Sequence, residues 1–342
     1  MNPGFVPGLT DADLPSAIAG RADCILGGVR IGAPGAGPAP EWPQQFISAP
    51  LIGATTDSLQ EIWRSPTPCS SGEYSEIAWR RAGPVLYGVL EVTESDFPGS
   101  PACSPLQAAS REAYRRIFGL LDAQRLPHLW RAWNYLADIN LETHGLERYR
   151  QFNTGRQDAF LESGRVATGN VPAACAIGLT GGPLRIAFMA GCEAATAIEN
   201  PRQISAYDYP AEYGPRSPTF SRAALVCLAR QEILFVSGTA SILGHRTMHH
   251  GDVAAQTREA LANVAAVLAE ANRRGRSAPY RIDALAYRVY LRHASDFAAV
   301  REVLNAMLGT APAITCIHAD ICRSDLLVEI EATASRVLES CR

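Results

Sequence analysis

Hydrophobic positions in the second half of the chain follow two different periods. An apolar run over residues 234–236 passes into the small residues of 237–241, a pattern typical of a buried strand that a ligand can approach closely. From residue 253 to 268 the apolar side chains recur at helical spacing, and Asp252 stands where it can cap the first turn. A further strand is expected over residues 284–291. The pattern therefore predicts the order strand, loop, helix, strand.

The first half of the chain carries the same order of elements. Residues 85–92 read as a strand, Ser104 and Pro105 begin a helix whose apolar stripe reaches residue 121, and residues 130–139 read as a second strand. Shifted by 147 residues, the sequence SREA of 110–113 falls on TREA of 257–260. The leading strands agree at nearly the same offset. This match predicts an internal duplication.

Prolines and glycines make the first 80 residues the least regular part of the chain. Residues 32–43 and 65–72 are expected to be loops, with short strands over 25–31 and 46–52. We therefore divide the chain into an N-terminal extension that wraps the core (1–83), a first unit with insertions (84–229) and a second unit (230–342). The predicted class is α/β (α+β), with two tandem β-sheet-plus-helix units.

Composition narrows the classes of function. The 342 residues are 47% hydrophobic and 19% charged, with a formal net charge of -3, so neither nucleic acid nor an anionic membrane is an expected partner. Apolar runs stay well short of the roughly 20 residues that span a bilayer, and the N-terminus does not read as a secretory signal. Nine scattered cysteines without a CxxC pair argue against a disulfide framework or a zinc site. A cytoplasmic protein is expected.

Several segments resemble known families. Residues 251–268, GDVAAQTREALANVAAVL, are similar to the central helix of the Rid (YjgF-type) family, and residues 326–332, LLVEIEA, are similar to its last strand. The chorismatase family is similar to a doubled form of this chorismate-mutase-like fold. It also carries segments like RYRQFNTGRQDAF at 148–160 and YGPRSPTFSRA at 213–223. The resemblance covers roughly residue 86 to the C-terminus.

Membership of the chorismatase family would imply a specific reaction. Chorismatases remove the enolpyruvyl group of chorismate as pyruvate, without a metal or an organic cofactor. Some leave a dihydroxycyclohexadienoate, whereas others leave 3-hydroxybenzoate, in some cases with 4-hydroxybenzoate. The resemblance thus predicts an enzyme that acts on this small molecule as a monomer or small homo-oligomer. Such chemistry needs cationic groups for two carboxylates and a general acid that stays protonated near neutral pH.

Glu329 is the candidate for the acid. Strand alternation places Glu329 and Glu331 on one face about 7 Å apart. Partial burial and the like-charged neighbour would both raise the Glu329 pKa, as a proton donor requires. The alternative is an outward polar face of an amphipathic strand. The resemblance favours the acid, because Glu329 matches the family's catalytic glutamate.

The product depends on two further positions. Cys322 precedes Glu329 by seven residues, and a cysteine at this offset belongs to the site of chorismatases that make 3-hydroxybenzoate. By itself a buried cysteine is usually a packing residue. The resemblance also places a glycine near Ala240 in one such branch. We expect 3-hydroxybenzoate, with hydrolysis to the dihydroxycyclohexadienoate as the alternative.

Arginines and tyrosines of the two insertions are the candidates for substrate binding. Arg156 and Arg216 each follow a backbone-permissive residue, and a guanidinium group is the usual partner of a carboxylate. A solvated surface role is the alternative for either. Tyr149 and Tyr213 could hydrogen-bond the substituents of the ring.

Two other functions are considered. His245, His249 and His250 suggest a metal, but no acidic residue separates them and they precede the helix, so none is expected. A Rid-type enamine or imine deaminase, or a ligand-binding module without chemistry, is the second hypothesis. The insertions at 148–160 and 213–223 discriminate, because a simple deaminase would not need them.

Overall fold

The computed structural model describes residues 6–7, 22–33, 39–100, 103–310 and 312–338, with only the backbone of 6–7. Its α-helices are α1 Pro105–Gln124, α2 Arg148–Glu162, α3 Val253–Arg274 and α4 Phe297–Leu308. Single 3-10 turns lie at Ala22–Cys24, Glu94–Asp96, Ala206–Asp208, Ala211–Tyr213, Ile282–Ala284 and Ala294–Asp296. The strands are β1 Val6–Pro7, β2 Ile25–Gly32, β3 Gln44–Ile47, β4 Ser58–Arg64, β5 Ser70–Tyr74, β6 Ile77–Ala82, β7 Val85–Val92, β8 His128–Ala137, β9 Glu142–Thr143, β10 Leu146–Glu147, β11 Ala173–Leu179, β12 Leu184–Gly191, β13 Thr196–Ile198, β14 Ala223–Leu228, β15 Gln231–Ala240, β16 Ile242–Leu243, β17 Arg246–Thr247, β18 Ala286–Leu291, β19 Ile314–His318, β20 Asp320–Ile321 and β21 Val328–Val337.

Three large sheets build the described part of the chain. The N-terminal sheet has the order β1-β4-β2-β3, the first sheet β20-β11-β8-β12-β7-β6-β5, and the second sheet β13-β14-β15-β21-β18-β19. Two small hairpins, β9–β10 and β16–β17, stand apart from them. The inner faces of all three sheets share one core, to which the N-terminal sheet contributes Trp63, the first sheet Trp133 and the second Phe235. Helix α1 packs on the outer face of the first sheet and α3 on that of the second.

The first and second sheets repeat one topology. Strands β6-β7-β12-β8-β11 and β14-β15-β21-β18-β19 follow the same order. In both, the last pair is parallel and the preceding pairs are antiparallel. The predicted α/β (α+β) class with two sheet-plus-helix units is confirmed. The division at residues 83/84 and 229/230 stays an interpretation, since the repeated strands begin at Ile77 and Ala223.

Helix starts follow from the residues that cap them. Ser104 Oγ accepts a hydrogen bond from the backbone N–H of Gln107 at 3.1 Å, and Pro105 occupies the first turn. Asp252 Oδ1 does the same for the N–H of Ala255 at 2.9 Å. Both predicted starts are therefore confirmed.

The N-terminal region differs in part from the prediction. Residues 70–72, expected in a loop, belong to β5, whose side chains are mostly exposed and so give no apolar pattern. The strand expected over 46–52 is β3, Gln44–Ile47. Of the loop predicted at 32–43, residues 34–38 lie outside the described residues.

Candidate active site

Strand β21 places Glu329 in the middle of the second sheet. Glu329 pairs with Ala240 on β15 and with Tyr290 on β18, and only 4% of its surface is exposed. Glu331, two residues further on, is equally buried, so the two carboxyl groups share a face as predicted. The alternative of an outward polar face is wrong. Burial is deeper than the partial burial expected, because this face packs against the first sheet.

The surroundings favour the protonated form of Glu329. Burial raises the pKa of Glu329 to about 8, and the negative charge of Glu331 acts in the same direction. Arg131 and the Cys322 thiol oppose this shift without cancelling it. A carboxyl group with this pKa holds its proton at neutral pH and can still release it to a substrate.

A bulge in β15 makes room for the Glu329 carboxyl. The register of β15 against β21 shifts between Val236 and Thr239, and Gly238 lies within this shift. A Cβ atom at Gly238 would stand 1.8 Å from Glu329 Oε1. Ser237 fixes the bulge, because its hydroxyl accepts from Ala174 N at 2.9 Å and donates to a backbone carbonyl 2.6 Å away.

A cavity of about 210 Å³ opens above Glu329 and continues into an inner pocket of about 30 Å³. The two spaces share the residues Tyr149, Phe220, Gly238, Cys322 and Glu329. Both halves of the chain contribute walls, since Ala174–Ala176 come from the first sheet and Gly238 and Glu329 from the second. The candidate site therefore lies between the two repeated units.

Most of the predicted site residues meet in this space. Tyr149, Tyr213, Ala240 and Cys322 line the outer cavity, and Arg156 lines the inner pocket. Burial raises the pKa of the Cys322 thiol well above its ordinary value, so this cysteine is a neutral thiol at physiological pH.

Arg216 lies elsewhere and corrects the expectation that it would meet the other candidates. Its Nη2 stands 3.4 Å from Asp158 Oδ1, and its side chain is 46% exposed. It is not among the described residues that line the two spaces. The backbone-permissive glycine and proline before Arg216 gave no information about which way its side chain points.

Three arginines outside the predicted site residues line the outer cavity: Arg150, Arg222 and Arg323. The Arg323 guanidinium stands 4.2 Å from the ring centre of Tyr213 and 5.3 Å from that of Tyr209. Arg222 lies over Phe220 at 5.4 Å. The sequence signal for two of them was adjacency, since Arg323 follows Cys322 directly and Arg222 is the penultimate residue of the second insertion. Residue type alone could not separate them from Arg216.

The arginines around the cavity hold unused hydrogen-bond donors. Within the part of the chain that the structure describes, Arg156 Nε, Arg222 Nε and Arg323 Nη2 are buried and have no hydrogen-bond partner. A buried donor without a partner costs free energy, and arginines bearing such donors are common where an anion is to be bound. The cavity therefore offers its free cationic donors to an acidic ligand.

Comparisons with known proteins identify the family. Residues 61–190 match the family described as "Chorismatase FkbO/Hyg5-like, N-terminal", and residues 218–336 match "Endoribonuclease L-PSP". A protein of Streptomyces hygroscopicus named "Chorismatase" is 39% identical over 281 residues, which are 80% of this chain and 79% of the relative. The chain belongs to the chorismatase family. The resemblance stated from the sequence is confirmed, as is the expectation of an enzyme.

Further relatives agree with this membership. A "3-hydroxybenzoate synthase" of Streptomyces hygroscopicus is 37% identical over 82% of this chain and 83% of its own. A chorismatase crystal structure matches with a TM-score of 0.82 and 32% identity, over 96% of this chain and 98% of the other. The fold of that chorismatase thus extends over nearly the whole chain.

The insertions of this chorismatase-family chain supply much of the cavity. Residues 148–160 contribute Tyr149 and Arg156, and residues 213–223 contribute Tyr213, Phe220 and Arg222. These are the segments that a simple deaminase or bare Rid module would not need. We therefore retain the chorismatase hypothesis and set the Rid-type deaminase aside.

The three histidines separate in the fold. His245, His249 and His250 each lie near a different acidic residue: Glu212 at 3.5 Å, Glu259 at 3.6 Å and Asp325 at 3.6 Å, respectively. Over the described residues, no group of three or more His, Cys, Asp or Glu side chains is arranged to hold a metal ion. No described helix is long and apolar enough to span a membrane.

Proposed function

We propose that the protein cleaves chorismate into pyruvate and 3-hydroxybenzoate. One observation carries the proposal: the buried carboxyl of Glu329, with a pKa of about 8, at the floor of a cavity lined by arginines. Its relatives bear the names "Chorismatase" and "3-hydroxybenzoate synthase". Chorismate is a dicarboxylate with an enol ether, so it matches both the cationic walls and the protonated acid.

The unused donors are proposed to hold the two carboxylates. Arg156 in the inner pocket would bind one, and Arg222 with Arg323 in the outer cavity would bind the other. The Tyr149 phenol would hydrogen-bond the ring substituents, whereas the Tyr213 phenol, which donates to the backbone carbonyl of His245 at 2.8 Å, would only accept from them. Binding by several fixed donors would orient the enolpyruvyl group toward Glu329.

The first chemical step is a proton transfer. Glu329 donates its proton to the methylene carbon of the enolpyruvyl group, whose double-bond electrons form the new C–H bond. The ether carbon becomes an oxocarbenium centre, stabilised by its oxygen, and Glu329 becomes a carboxylate. The neighbouring charge of Glu331 disfavours that carboxylate, so its contribution is to keep Glu329 protonated before the transfer and to favour return of a proton afterwards.

Two outcomes then compete. Water can attack the ether carbon, and collapse of the adduct releases pyruvate and the dihydroxycyclohexadienoate. In the alternative, the oxygen of the ring C4 hydroxyl attacks ring carbon C3 while the bond between C3 and the ether oxygen breaks. The electron pair of the broken C3–O bond stays on the ether oxygen, which becomes the ketone oxygen of pyruvate. The C4 hydroxyl proton returns to Glu329. The resulting arene oxide opens and loses a ring proton to give 3-hydroxybenzoate.

Cys322 leads us to propose the second outcome. Its neutral thiol is partly buried, lines the cavity and is close enough to Glu329 to affect the pKa of that carboxyl. A thiol at this place is proposed to guide the ring hydroxyl and limit access of water. Ala240, the residue of β15 that pairs with Glu329 on β21, is compatible with both outcomes.

Incubation with chorismate tests the function directly. Pyruvate is followed with lactate dehydrogenase and NADH, while chromatography identifies the ring product. Pyruvate and 3-hydroxybenzoate in equal amounts are expected. The diol in place of 3-hydroxybenzoate would reject the product assignment, and absence of chorismate consumption would reject the proposed function.

A further inference from the structure

A network of two arginines and two glutamates, buried except for the partly exposed Glu61, lies beside the acid. Arg131 forms an ion pair with Glu331, and both side chains are almost fully enclosed. Arg288 Nη1 lies 3.1 Å from Glu331 Oε1, and its Nη2 lies 2.6 Å from Glu61 Oε2. Tyr290 also donates a hydrogen bond to Glu331 at 3.0 Å. The four charged groups form one continuous chain.

This network joins all three sheets. Arg131 lies on β8 of the first sheet, Arg288 and Glu331 lie on β18 and β21 of the second, and Glu61 lies on β4 of the N-terminal sheet. Glu61 is therefore separated from the cavity by Arg288 and Glu331. Glu61 can therefore act on Glu329 only through electrostatic interaction.

The charges of the network cancel. Two guanidinium groups face two carboxylates, so ionisation of Glu329 would add one uncompensated negative charge to a buried region. We infer that Glu61, outside the cavity, is a positioning residue that keeps the proton on Glu329 by completing this charge balance. The inference deepens the proposed function and rests on it for the link to catalysis.

Other groups around Glu329 leave this argument unchanged. Cys175 and Cys322 and the phenols of Tyr135, Tyr149 and Tyr290 all have pKa values raised by burial, so they are neutral near pH 8. The charged groups that line the outer and inner cavity are Arg150, Arg156, Arg222, Arg323, Glu147 and Asp325. A substitution at Glu61 leaves each of these groups in place. The charge of Glu61 also acts on Tyr87, but burial raises the pKa of this phenol, so Tyr87 is neutral.

Glu61→Gln tests the inference with a predictable sign. It removes one negative charge, so the network becomes net positive and stabilises ionised Glu329. We expect the Glu329 titration midpoint to fall by roughly 0.5–1 pH unit, a modest shift because Glu61 is partly exposed. Infrared spectroscopy measures this midpoint from the protonated-carboxyl C=O band that disappears in Glu329→Gln.

Two further variants complete the experiment. Arg288→Gln removes a positive charge and is expected to raise the midpoint, whereas the double variant should return it close to the wild-type value. Glu91→Gln is the matched control, because Glu91 pairs with Arg185 at 2.8 Å and neither residue lines the cavity. Its midpoint should equal that of the wild type.

The outcomes separate the inference from the proposed function. A lower midpoint in Glu61→Gln, with the alkaline limb of kcat/KM moving with it, supports both. A lower midpoint with an unmoved limb supports the inference and rejects Glu329 as the acid. An unchanged midpoint in Glu61→Gln overturns the inference. If Glu61→Gln does not fold, an unchanged midpoint in Arg288→Gln overturns it equally.

Discussion

Gly238 and Glu329 are fitted to each other across the β15–β21 pairing. A Cβ atom on residue 238 would stand 1.8 Å from Glu329 Oε1, so a larger residue cannot take the place of Gly238 unless the carboxyl moves. Cys175 Cβ lies 3.3 Å from the same position and limits any adjustment. The acid thus depends on the absence of a side chain on the neighbouring strand.

Gly238→Ala should displace the Glu329 carboxyl and lower kcat by about 100-fold or more, the usual scale of general acid catalysis. Steady-state pyruvate release measures the effect. Gly181→Ala is the matched control, because a Cβ at Gly181 meets no described atom within 4 Å. Full activity of Gly238→Ala would show that the carboxyl can work from another position.

Glu329→Gln keeps the size of the side chain but removes the transferable proton. Pyruvate release should fall by at least ~100-fold. Because the pKa of Glu329 is about 8, the active form is the protonated one, and wild-type kcat/KM should decline tenfold per pH unit above that value. Residual activity of the variant should lack this limb. A limb that persists would belong to another group.

The free energy of unfolding should also depend on pH because of Glu329. Burial raises the pKa of Glu329 from 4.5 to about 8, so between these pH values the folded protein holds a proton that the unfolded chain has lost. The free energy of unfolding therefore falls as pH rises through this window, by about 1.4 kcal/mol per pH unit.

Thermal unfolding of Glu329→Gln checks this dependence. The variant should melt above the wild type at pH 8, and the difference should shrink toward pH 5. Glu331→Gln is expected to melt lower at both values, because it leaves buried Arg131 without its partner. A difference for Glu329→Gln that does not vary with pH would contradict the raised pKa.

Arg156 and Arg216 should differ sharply when replaced. Arg156→Gln removes a buried donor of the inner pocket and should raise KM by roughly 30-fold or more. Arg216→Gln breaks only an exposed pair with Asp158, so KM should change by less than about twofold. Equal increases in the two variants would show that Arg216 reaches the substrate in the bound state.

Cys322→Ala should preserve chorismate consumption and shift the product away from 3-hydroxybenzoate. Chromatography of the ring products, normalised to pyruvate, measures the shift. Cys316→Ala is the matched control, since Cys316 is a buried cysteine on β19 in a different core. An unchanged product ratio in Cys322→Ala would reduce this cysteine to a packing residue.

Periodicity and capping carried much of the fold prediction. Strand β7 coincides with its predicted bounds because apolar side chains fill it, and both long helices begin at their capping residues. Alternation alone placed Glu329 and Glu331 on one face. These features are local, so the sequence contains them directly.

Contacts between the sheets could not be predicted. Glu61 and Arg288 are 227 positions apart, and nothing in either neighbourhood indicates that they meet. For the same reason, the sequence could not show which arginines line the cavity, because only packing decides which guanidinium turns inward. This holds for Arg156, Arg216, Arg222 and Arg323. Strand β5 escaped prediction because its exposed side chains resemble those of a loop.

The cavity walls that the described residues form belong to one covalent chain. The first sheet provides Cys175 and the second provides Gly238 and Glu329, so bringing them together is a step in folding and not an association between separate molecules. Assembly of these walls is intramolecular and therefore does not depend on the protein concentration. Activity per chain should remain constant on dilution for as long as the fold persists, whereas a site shared between dissociating subunits would lose activity.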